Sequence, residues 1–158
     1  MAASVLTGKD IARMAVAIEE RGVAFYTRAA ENFREQRISQ TFIKLAEEEK
    51  EHAQIFRRLF AGEKEEDNVF DPAVAKYIKS ILESTVFPAK EPGENMLAGI
   101  TTAQQALAVG IQAEKDAILF YQELYQNVTS EEARNTLSKL LEEEKMHLID
   151  LRSYLEEL

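Results

Sequence analysis

The sequence contains no cysteine and no tryptophan, only two histidines, and few helix-breaking residues, with six glycines and three prolines among 158 residues. Without cysteine, the chain has no disulfide, no thiolate zinc site, no iron–sulfur cluster and no rubredoxin-type iron centre. No uncharged apolar run approaches the roughly 20 residues that span a bilayer. The amino terminus also lacks the basic and then apolar pattern of a signal peptide. We therefore expect a cytoplasmic protein with no membrane partner.

Positive charge is also scarce, with 19 Lys and Arg against 28 Asp and Glu and a formal net charge of −9. Such a chain lacks the surplus of cations that replaces phosphate counterions, so we expect no nucleic-acid partner. A hydrophobic content of 46% with 30% charged residues is typical of a globular protein. The abundance of Glu, Ala, Leu, Lys and Gln favours helix. We expect a single domain over residues 1–158.

The two halves of the chain repeat one another. A shift of 95 positions aligns residues 16–60 with 111–155 without a gap, and 13 of the 45 pairs are identical. The identical pairs include most of two acidic hexapeptides, EEEKEH at 47–52 and EEEKMH at 142–147, each of which ends in one of the two histidines. We interpret the repeat as a duplicated helical hairpin, with one copy over residues 8–62 and the other over 101–157.

Each hairpin repeat reads as two amphipathic helices, because apolar residues recur at steps of three and four. The second helix of the first hairpin is predicted over about residues 39–60. Three other helix starts carry a Thr followed three residues later by an acid or amide, which is the pattern of a capping box. These pairs are Thr7 with Asp10, Thr101 with Gln104, and Thr129 with Glu132.

The crossover at residues 63–100 is too long for a turn between hairpins. Asp71 and Pro72 predict the start of a short helix that runs to about Ser84, since Pro is tolerated in the first turn. The prolines and glycine within residues 88–93 predict a loop. Four long helices with one long crossover and no strand give an all-α fold, a ferritin-like four-helix bundle built from two repeated hairpins.

Acidic residues and histidines occupy positions where the core of the bundle is expected. In the second helix, the apolar stripe that contains Phe42 and Phe56 is interrupted by Glu49 and His52, which keep its spacing of three and four. The fourth helix repeats this arrangement, and the first and third helices each place one Glu beside their apolar stripe. The inward-facing set is Glu19, Glu49, His52, Glu114, Glu144 and His147.

This inward-facing set predicts a metal site. A buried carboxylate costs several kcal/mol unless it is paired or ligates a metal, and no Lys or Arg shares these stripes. Four carboxylates carry a charge of −4, which two divalent cations balance. Carboxylate oxygen with imidazole nitrogen suits iron or manganese. One Glu from each of two helices, with Glu-x-x-His from each of the others, is the ligand set of di-iron and di-manganese bundles.

Two tyrosines near the inward-facing set allow more than one interpretation. Tyr26 and Tyr121 lie seven residues after Glu19 and Glu114, two turns along the same face. They are either core aromatics or donors that orient a ligand carboxylate or supply a proton or electron. The first two glutamates of each hexapeptide are predicted to form a solvated helix face. These are Glu47, Glu48, Glu142 and Glu143.

The stretch AIEERGVAFYTRAAE followed by LAEEEKEHAQIF resembles the rubrerythrin branch of the ferritin-like proteins, and AEKDAILFYQEL followed by LLEEEKMHLIDL resembles its second half. The resemblance implies that the six inward-facing residues ligate a di-iron centre of two iron ions per chain, in which Glu49 and Glu144 bridge the metals. Manganese remains an alternative metal. The resemblance also implies reduction of hydrogen peroxide or dioxygen, defence against oxidative stress, and a homodimer.

Rubrerythrin proper differs from this chain in two respects. It carries a rubredoxin domain whose iron is held by four cysteines, so for this cysteine-free chain we expect electrons from a separate donor protein such as a rubredoxin. Rubrerythrin proper also has an additional Glu near the position of Ala117, so we expect a more symmetric site here.

The leading prediction is therefore a non-haem di-iron peroxidase or oxidase, since two ferrous ions supply the two electrons that cleave an O–O bond. The first alternative is a ferroxidase or iron-storage subunit of the ferritin-like class. The second is a helical bundle whose buried site is purely structural.

Overall fold

In a computed structural model, which describes residues 6–62, 69–85 and 97–158, the regular structure is entirely helical. The helices are α1 (Gly8–Asn32), α2 (Gln36–Leu59), α3 (Pro72–Glu83), α4 (Ala103–Asn127) and α5 (Glu131–Glu157). The all-α prediction is confirmed, and so is the short helix of the crossover. The loop predicted within residues 88–93 lies outside the described residues. Among the described helices, none is long and apolar enough to cross a bilayer.

The bundle consists of two helical hairpins. α1 packs along α2 and α4 packs along α5, and each pair is joined by a connection of three residues, 33–35 or 128–130. Short connections of this kind place successive helices side by side and antiparallel. The short helix α3 packs mainly on α4. The observed hairpins agree with the two repeats expected from the sequence.

The apolar core is divided into two layers, and each long helix contributes to both. Along α2, Phe42 and Leu45 belong to one layer and Phe56 to the other, while Glu49 and His52 lie between them in the sequence. The other three long helices show the same order of apolar, polar and apolar positions. A polar layer is therefore enclosed between two apolar layers near the middle of the bundle.

The helices α1 and α3 begin at well-defined caps. At α1 the predicted capping box is present, because the Thr7 hydroxyl accepts from the Asp10 N–H at 3.3 Å and the Asp10 carboxylate accepts from the Thr7 N–H at 3.0 Å. At α3 the Asp71 carboxylate accepts from the Ala73 N–H at 2.9 Å, with Pro72 as the first helical residue.

The predicted starts of α4 and α5 are wrong by one residue. The cap of α4 is Thr102, whose hydroxyl accepts from the Gln105 N–H at 3.1 Å, rather than Thr101 with Gln104. The stretch TTAQQ fits a capping box in two registers, and the structure adopts the one that buries Ala106 and Gly110.

At α5 the cap is Ser130, whose hydroxyl accepts from the Ala133 N–H at 3.1 Å, rather than Thr129 with Glu132. The predicted start of α2 is also late. Its cap is Glu35, whose carboxylate accepts from the N–H groups of Arg37 and Ile38 at 3.3 and 3.2 Å. Glu is an uncommon cap, so the sequence pattern did not indicate it.

The observed register of α4 leads to a direct comparison of two neighbouring threonines. Thr102→Ala removes the hydroxyl that satisfies the Gln105 N–H and is expected to lower the free energy of unfolding by about 1 kcal/mol. Thr101→Ala retains the backbone hydrogen bond from the Thr101 N–H to Gln105 and is expected to cost less than half as much. Urea unfolding of both variants measures the difference, and equal losses would contradict the assigned cap.

Candidate metal centre

The polar layer contains all six inward-facing residues that the sequence predicts. α1 contributes Glu19 and α4 contributes Glu114, whereas α2 and α5 each contribute a Glu and a His one helical turn apart. The exposed fraction of every one of these residues is at most 5%. The structure thus brings together four carboxylates and two imidazoles in the interior of the bundle.

Within this layer the ligand atoms fall into two overlapping groups. One consists of Glu19, Glu49, His52 and Glu144, and the other of Glu49, Glu114, Glu144 and His147. In each group, one oxygen or nitrogen atom from every residue lies within 4.8 Å of the others. Glu49 and Glu144 belong to both groups. This sharing is the arrangement expected of two carboxylates that bridge a pair of metal ions.

The two imidazole rings turn the same nitrogen towards the carboxylates. Nδ1 of His52 lies 2.9 Å from Oε1 of Glu144 and 3.7 Å from Oε2 of Glu19. Nδ1 of His147 lies 3.1 Å from Oε2 of Glu144 and 3.6 Å from Oε1 of Glu114. The ring centroids are 5.7 Å apart and the ring planes are inclined by 20°. Glu144 therefore lies between two nearly parallel imidazoles.

The outer nitrogen of each imidazole contacts a carboxylate that the sequence assigned to a solvated face. Oε2 of Glu143 lies 2.7 Å from Nε2 of His52, and Oε2 of Glu48 lies 2.6 Å from Nε2 of His147. Glu143 is exposed as predicted and Glu48 is partly buried, but the sequence did not predict that either carboxylate reaches the buried site from its edge. Their partners lie on the opposite hairpin, which spacing along one helix does not reveal.

The leading glutamate of each hexapeptide does lie on a solvated face, as predicted. Glu47 pairs with Lys50 at 3.0 Å and Glu142 pairs with Lys145 at 3.5 Å, and both carboxylates are exposed. Surface pairs at this spacing contribute little to stability. In each hexapeptide the leading glutamate is therefore exposed and the third is buried.

The two tyrosines predicted near the site have different surroundings. The Tyr26 hydroxyl donates to Oε1 of Glu114 at 2.8 Å, from α1 across to α4. The Tyr121 hydroxyl is buried without a hydrogen-bond partner among the described residues, and its ring packs on Phe56 with centroids 5.1 Å apart. Tyr26 thus contacts a site carboxylate, whereas Tyr121 packs as a core aromatic.

A glycine that sequence analysis did not single out provides the space for Tyr26. A Cβ at Gly110 would lie 3.3 Å from the Tyr26 hydroxyl oxygen and 3.2 Å from a methyl carbon of Leu151. The repeat counterpart of Gly110 is Ala15. The absence of a side chain at position 110 lets the tyrosine ring pass close to the α4 backbone and reach Glu114.

When no metal is bound, protonation rather than a neighbouring Lys or Arg neutralises the buried carboxylates. In the described part of the chain, no Lys or Arg pairs with any of the four carboxylates. Burial raises the pKa of Glu19 and Glu49 well above the usual range, and burial with the nearby charge of Glu144 raises the pKa of Glu114 to about 8. Without a metal, these groups therefore hold protons at neutral pH.

For the two histidines and Glu144, contacts with neighbouring groups outweigh the effect of burial on the pKa. Although burial alone would lower the pKa of both imidazoles, the adjacent carboxylates raise that of His52 to about 10 and that of His147 to about 11. The pKa of Glu144 is lowered despite its burial, because its contacts with Glu114, His147 and His52 favour the charged form. Glu144 is thus the carboxylate that stays ionised in the metal-free site.

The unpaired atoms of the cluster fit a bound cation. Buried polar atoms almost always have a partner, yet both carboxylate oxygens of Glu19, Nδ1 of His52 and Oε1 of Glu144 have no hydrogen bond within the described residues. The Glu144 oxygen lies close to Nδ1 of His52 but without the alignment of a hydrogen bond. All are oxygen or nitrogen atoms of the cluster that can ligate a metal, and this combination suits iron or manganese.

Comparisons with known proteins agree with this geometry. The sequence model of the rubrerythrin family matches residues 10–155. The crystal structure of a ferritin-like diiron-carboxylate protein from Thermotoga maritima is similar to this chain, with a TM-score of 0.76, 28% sequence identity and coverage of 99% of each chain. No curated protein sequence gives a significant match. The chain therefore belongs to the rubrerythrin family and has the ferritin-like fold of diiron-carboxylate proteins.

Proposed function

We propose that the protein is a non-haem di-iron oxidoreductase that reduces hydrogen peroxide or dioxygen with electrons from a separate donor protein. The observation that carries this proposal is the pair of overlapping carboxylate and histidine groups with Glu49 and Glu144 in common. The membership of the chain in the rubrerythrin family supports iron as the metal. We further propose that the protein acts as a cytoplasmic homodimer in defence against oxidative stress.

The residues present fit two metal ions per chain. Glu19 and His52 would hold one ion, Glu114 and His147 would hold the other, and the shared pair Glu49 and Glu144 would bridge them. Four carboxylates with two neutral imidazoles carry a charge of −4, which two divalent ions balance. Manganese has the same preference for oxygen and nitrogen donors and is the alternative occupant.

The chemistry of a bound ferrous pair is the supply of two electrons, which is the number that cleaves the O–O bond of hydrogen peroxide. The balanced reaction converts one peroxide, two protons and two electrons into two molecules of water. The protein holds the ligands at fixed positions in a layer closed by apolar residues above and below. This enclosure excludes water and strengthens the electrostatic contacts within the site.

Tyr26 is the side chain best placed to hold a proton beside the ligands. Its hydroxyl donates to Oε1 of Glu114, which fixes the orientation of that carboxylate. Burial and the charge of Glu114 raise the pKa of Tyr26 well above its usual value, so the hydroxyl keeps its proton at neutral pH.

The first test combines turnover with a matched pair of variants. Anaerobically reduced protein with a reduced rubredoxin as donor is expected to consume peroxide repeatedly without accumulating iron. Glu144→Ala is expected to eliminate turnover and binding of two Fe(II) per chain, whereas Glu142→Ala, in the same hexapeptide but exposed, is expected to leave both unchanged. Uptake of many irons per chain without donor-dependent turnover would contradict the proposal and identify an iron-storage function.

A second test uses the pH dependence of stability. The raised pKa values of Glu114, His52 and His147 mean that the folded metal-free protein retains protons that the unfolded chain has released. Stability of the metal-free protein is therefore expected to fall as the pH rises above the ordinary pKa values of 4.5 for Glu and 6.5 for His, until the folded values of about 8, 10 and 11 are passed. The lowered pKa of Glu144 acts in the opposite sense but only in acid, below its usual value of 4.5.

Metal ions replace these protons in the loaded protein, so the difference in melting temperature between loaded and metal-free protein is expected to widen over the same range. Differential scanning calorimetry at three pH values measures it. A difference that stays constant or narrows as the pH rises would contradict the protonation pattern.

A third test compares the two tyrosines. Tyr26→Phe removes the hydrogen bond to Glu114 while retaining the ring, so the affinity for the ion that Glu114 and His147 would hold is expected to fall by about tenfold. Tyr121→Phe removes a hydroxyl without a hydrogen bond and serves as the control. Anaerobic titration with Fe(II) in an isothermal titration calorimeter measures the affinity of each variant. Equal effects of the two substitutions would contradict a specific role of the Tyr26 hydroxyl at Glu114.

A further inference from the structure

We propose that Glu48 and Glu143 are positioning residues, each of which holds the metal-facing orientation of a histidine that belongs to the opposite hairpin. The inference rests on the proposed dinuclear site and concerns two side chains outside its ligand set. Its basis is a reciprocal pair of contacts between α2 and α5, one on each side of the buried cluster.

The two contacts are alike in distance, but only that of Glu143 has the alignment of a hydrogen bond with its imidazole. Oε2 of Glu143 lies 2.7 Å from Nε2 of His52, and Oε2 of Glu48 lies 2.6 Å from Nε2 of His147. Each Glu precedes a histidine of its own helix by four residues, yet contacts the histidine of the other helix. The pairs therefore cross between the hairpins, and each hairpin fixes the ring that the other hairpin supplies.

These contacts determine which nitrogen of each ring is available to a metal. A neutral imidazole carries its hydrogen on one nitrogen and a lone pair on the other. A carboxylate beside Nε2 favours the tautomer with the hydrogen there, so the lone pair of Nδ1 is left for the metal. Nδ1 is the nitrogen that faces the shared carboxylate Glu144, at 2.9 Å from His52 and 3.1 Å from His147.

The contacts also fix the rotation of the rings. A half-turn of either imidazole about its bond to Cβ would move Nδ1 away from the carboxylates and leave Nε2 without its acceptor. An acceptor at the outer edge of each ring therefore stabilises the single orientation that directs Nδ1 inward. Glu48 is held at its second oxygen as well, because Nζ of Lys44 lies 3.9 Å from Oε1.

Burial does not account for these acids. The Glu143 side chain is 57% exposed and that of Glu48 is 32% exposed, whereas the imidazoles that they contact are buried. Both positions are nevertheless glutamate in the two copies of the repeat, although only 13 of its 45 aligned pairs are identical. The preceding acids, Glu47 and Glu142, are equally repeated but pair with lysines at the surface.

The test measures metal affinity in three sets of variants, with Co(II) as the probe because its visible absorption reports binding. Glu48→Ala and Glu143→Ala are each expected to bind Co(II) about 10- to 100-fold more weakly than the wild-type protein. Glu48→Gln and Glu143→Gln are expected to remain within a few-fold of wild type, because the amide oxygen keeps a hydrogen-bond acceptor beside Nε2. Glu47→Ala and Glu142→Ala are the matched controls and are expected to bind normally.

A merely structural contribution would lower the melting temperature of the metal-free variants without changing their affinity for Co(II), and that result would overturn the proposal. Glutamine variants as weak as the alanine variants would also overturn it. If the wild-type protein itself binds no Co(II), the dinuclear site is refuted. If the wild-type protein binds two ions and the alanine variants match it, only the positioning role is refuted.

A measurement on the wild-type protein makes the test independent of whether any variant folds. In Zn(II)-loaded protein with ¹⁵N-labelled histidine, both rings are expected to show a proton on Nε2 and a metal-bound Nδ1. A proton on Nδ1 of either ring would overturn the proposal.

Discussion

Four carboxylates are buried in the middle of an apolar bundle, and this burial governs the charge, the packing and the symmetry of the site. Ionised carboxylates are costly in such surroundings unless positive charge accompanies them, and no Lys or Arg pairs with this set in the described part of the chain. Protons balance the cluster when metal is absent, which is why the pKa values of Glu19, Glu49 and Glu114 rise. Two divalent ions would balance it with every carboxylate ionised. The apolar layers on either side exclude water, so hydration does not stabilise the charge of the carboxylates.

The duplicated hairpin explains why the cluster is nearly symmetric and why neither half is sufficient. Each group of ligand atoms combines residues of both hairpins, since Glu49 of α2 and Glu144 of α5 belong to both groups. The crossed contacts of Glu48 and Glu143 extend the same interdependence beyond the ligands. Symmetry is broken at Tyr26 and Tyr121, where Gly110 admits one hydroxyl to a carboxylate while the other has no such bond.

The convergence of the six polar residues was predictable because each occupies a position that the helical spacing reserves for the core. A Glu or His at such a position requires a partner, and its repetition at a fixed offset supplies the other half of the cluster. The starts of α4 and α5 were missed by one residue, since TTAQQ permits two capping registers and only packing selects between them. The contacts of Glu48 and Glu143 were not predictable for a related reason. They depend on how α2 and α5 are aligned in space, which no spacing within one helix determines.

The central claim is that one chain holds two metal ions that share carboxylate ligands. Mössbauer spectroscopy of protein loaded anaerobically with two equivalents of ⁵⁷Fe(II) and then oxidised tests it most directly. Both irons are expected to occupy the site, and the oxidised pair is expected to be magnetically coupled, with a diamagnetic ground state. Two uncoupled ferric ions, or no more than one iron bound per chain, would contradict the shared-ligand arrangement at Glu49 and Glu144.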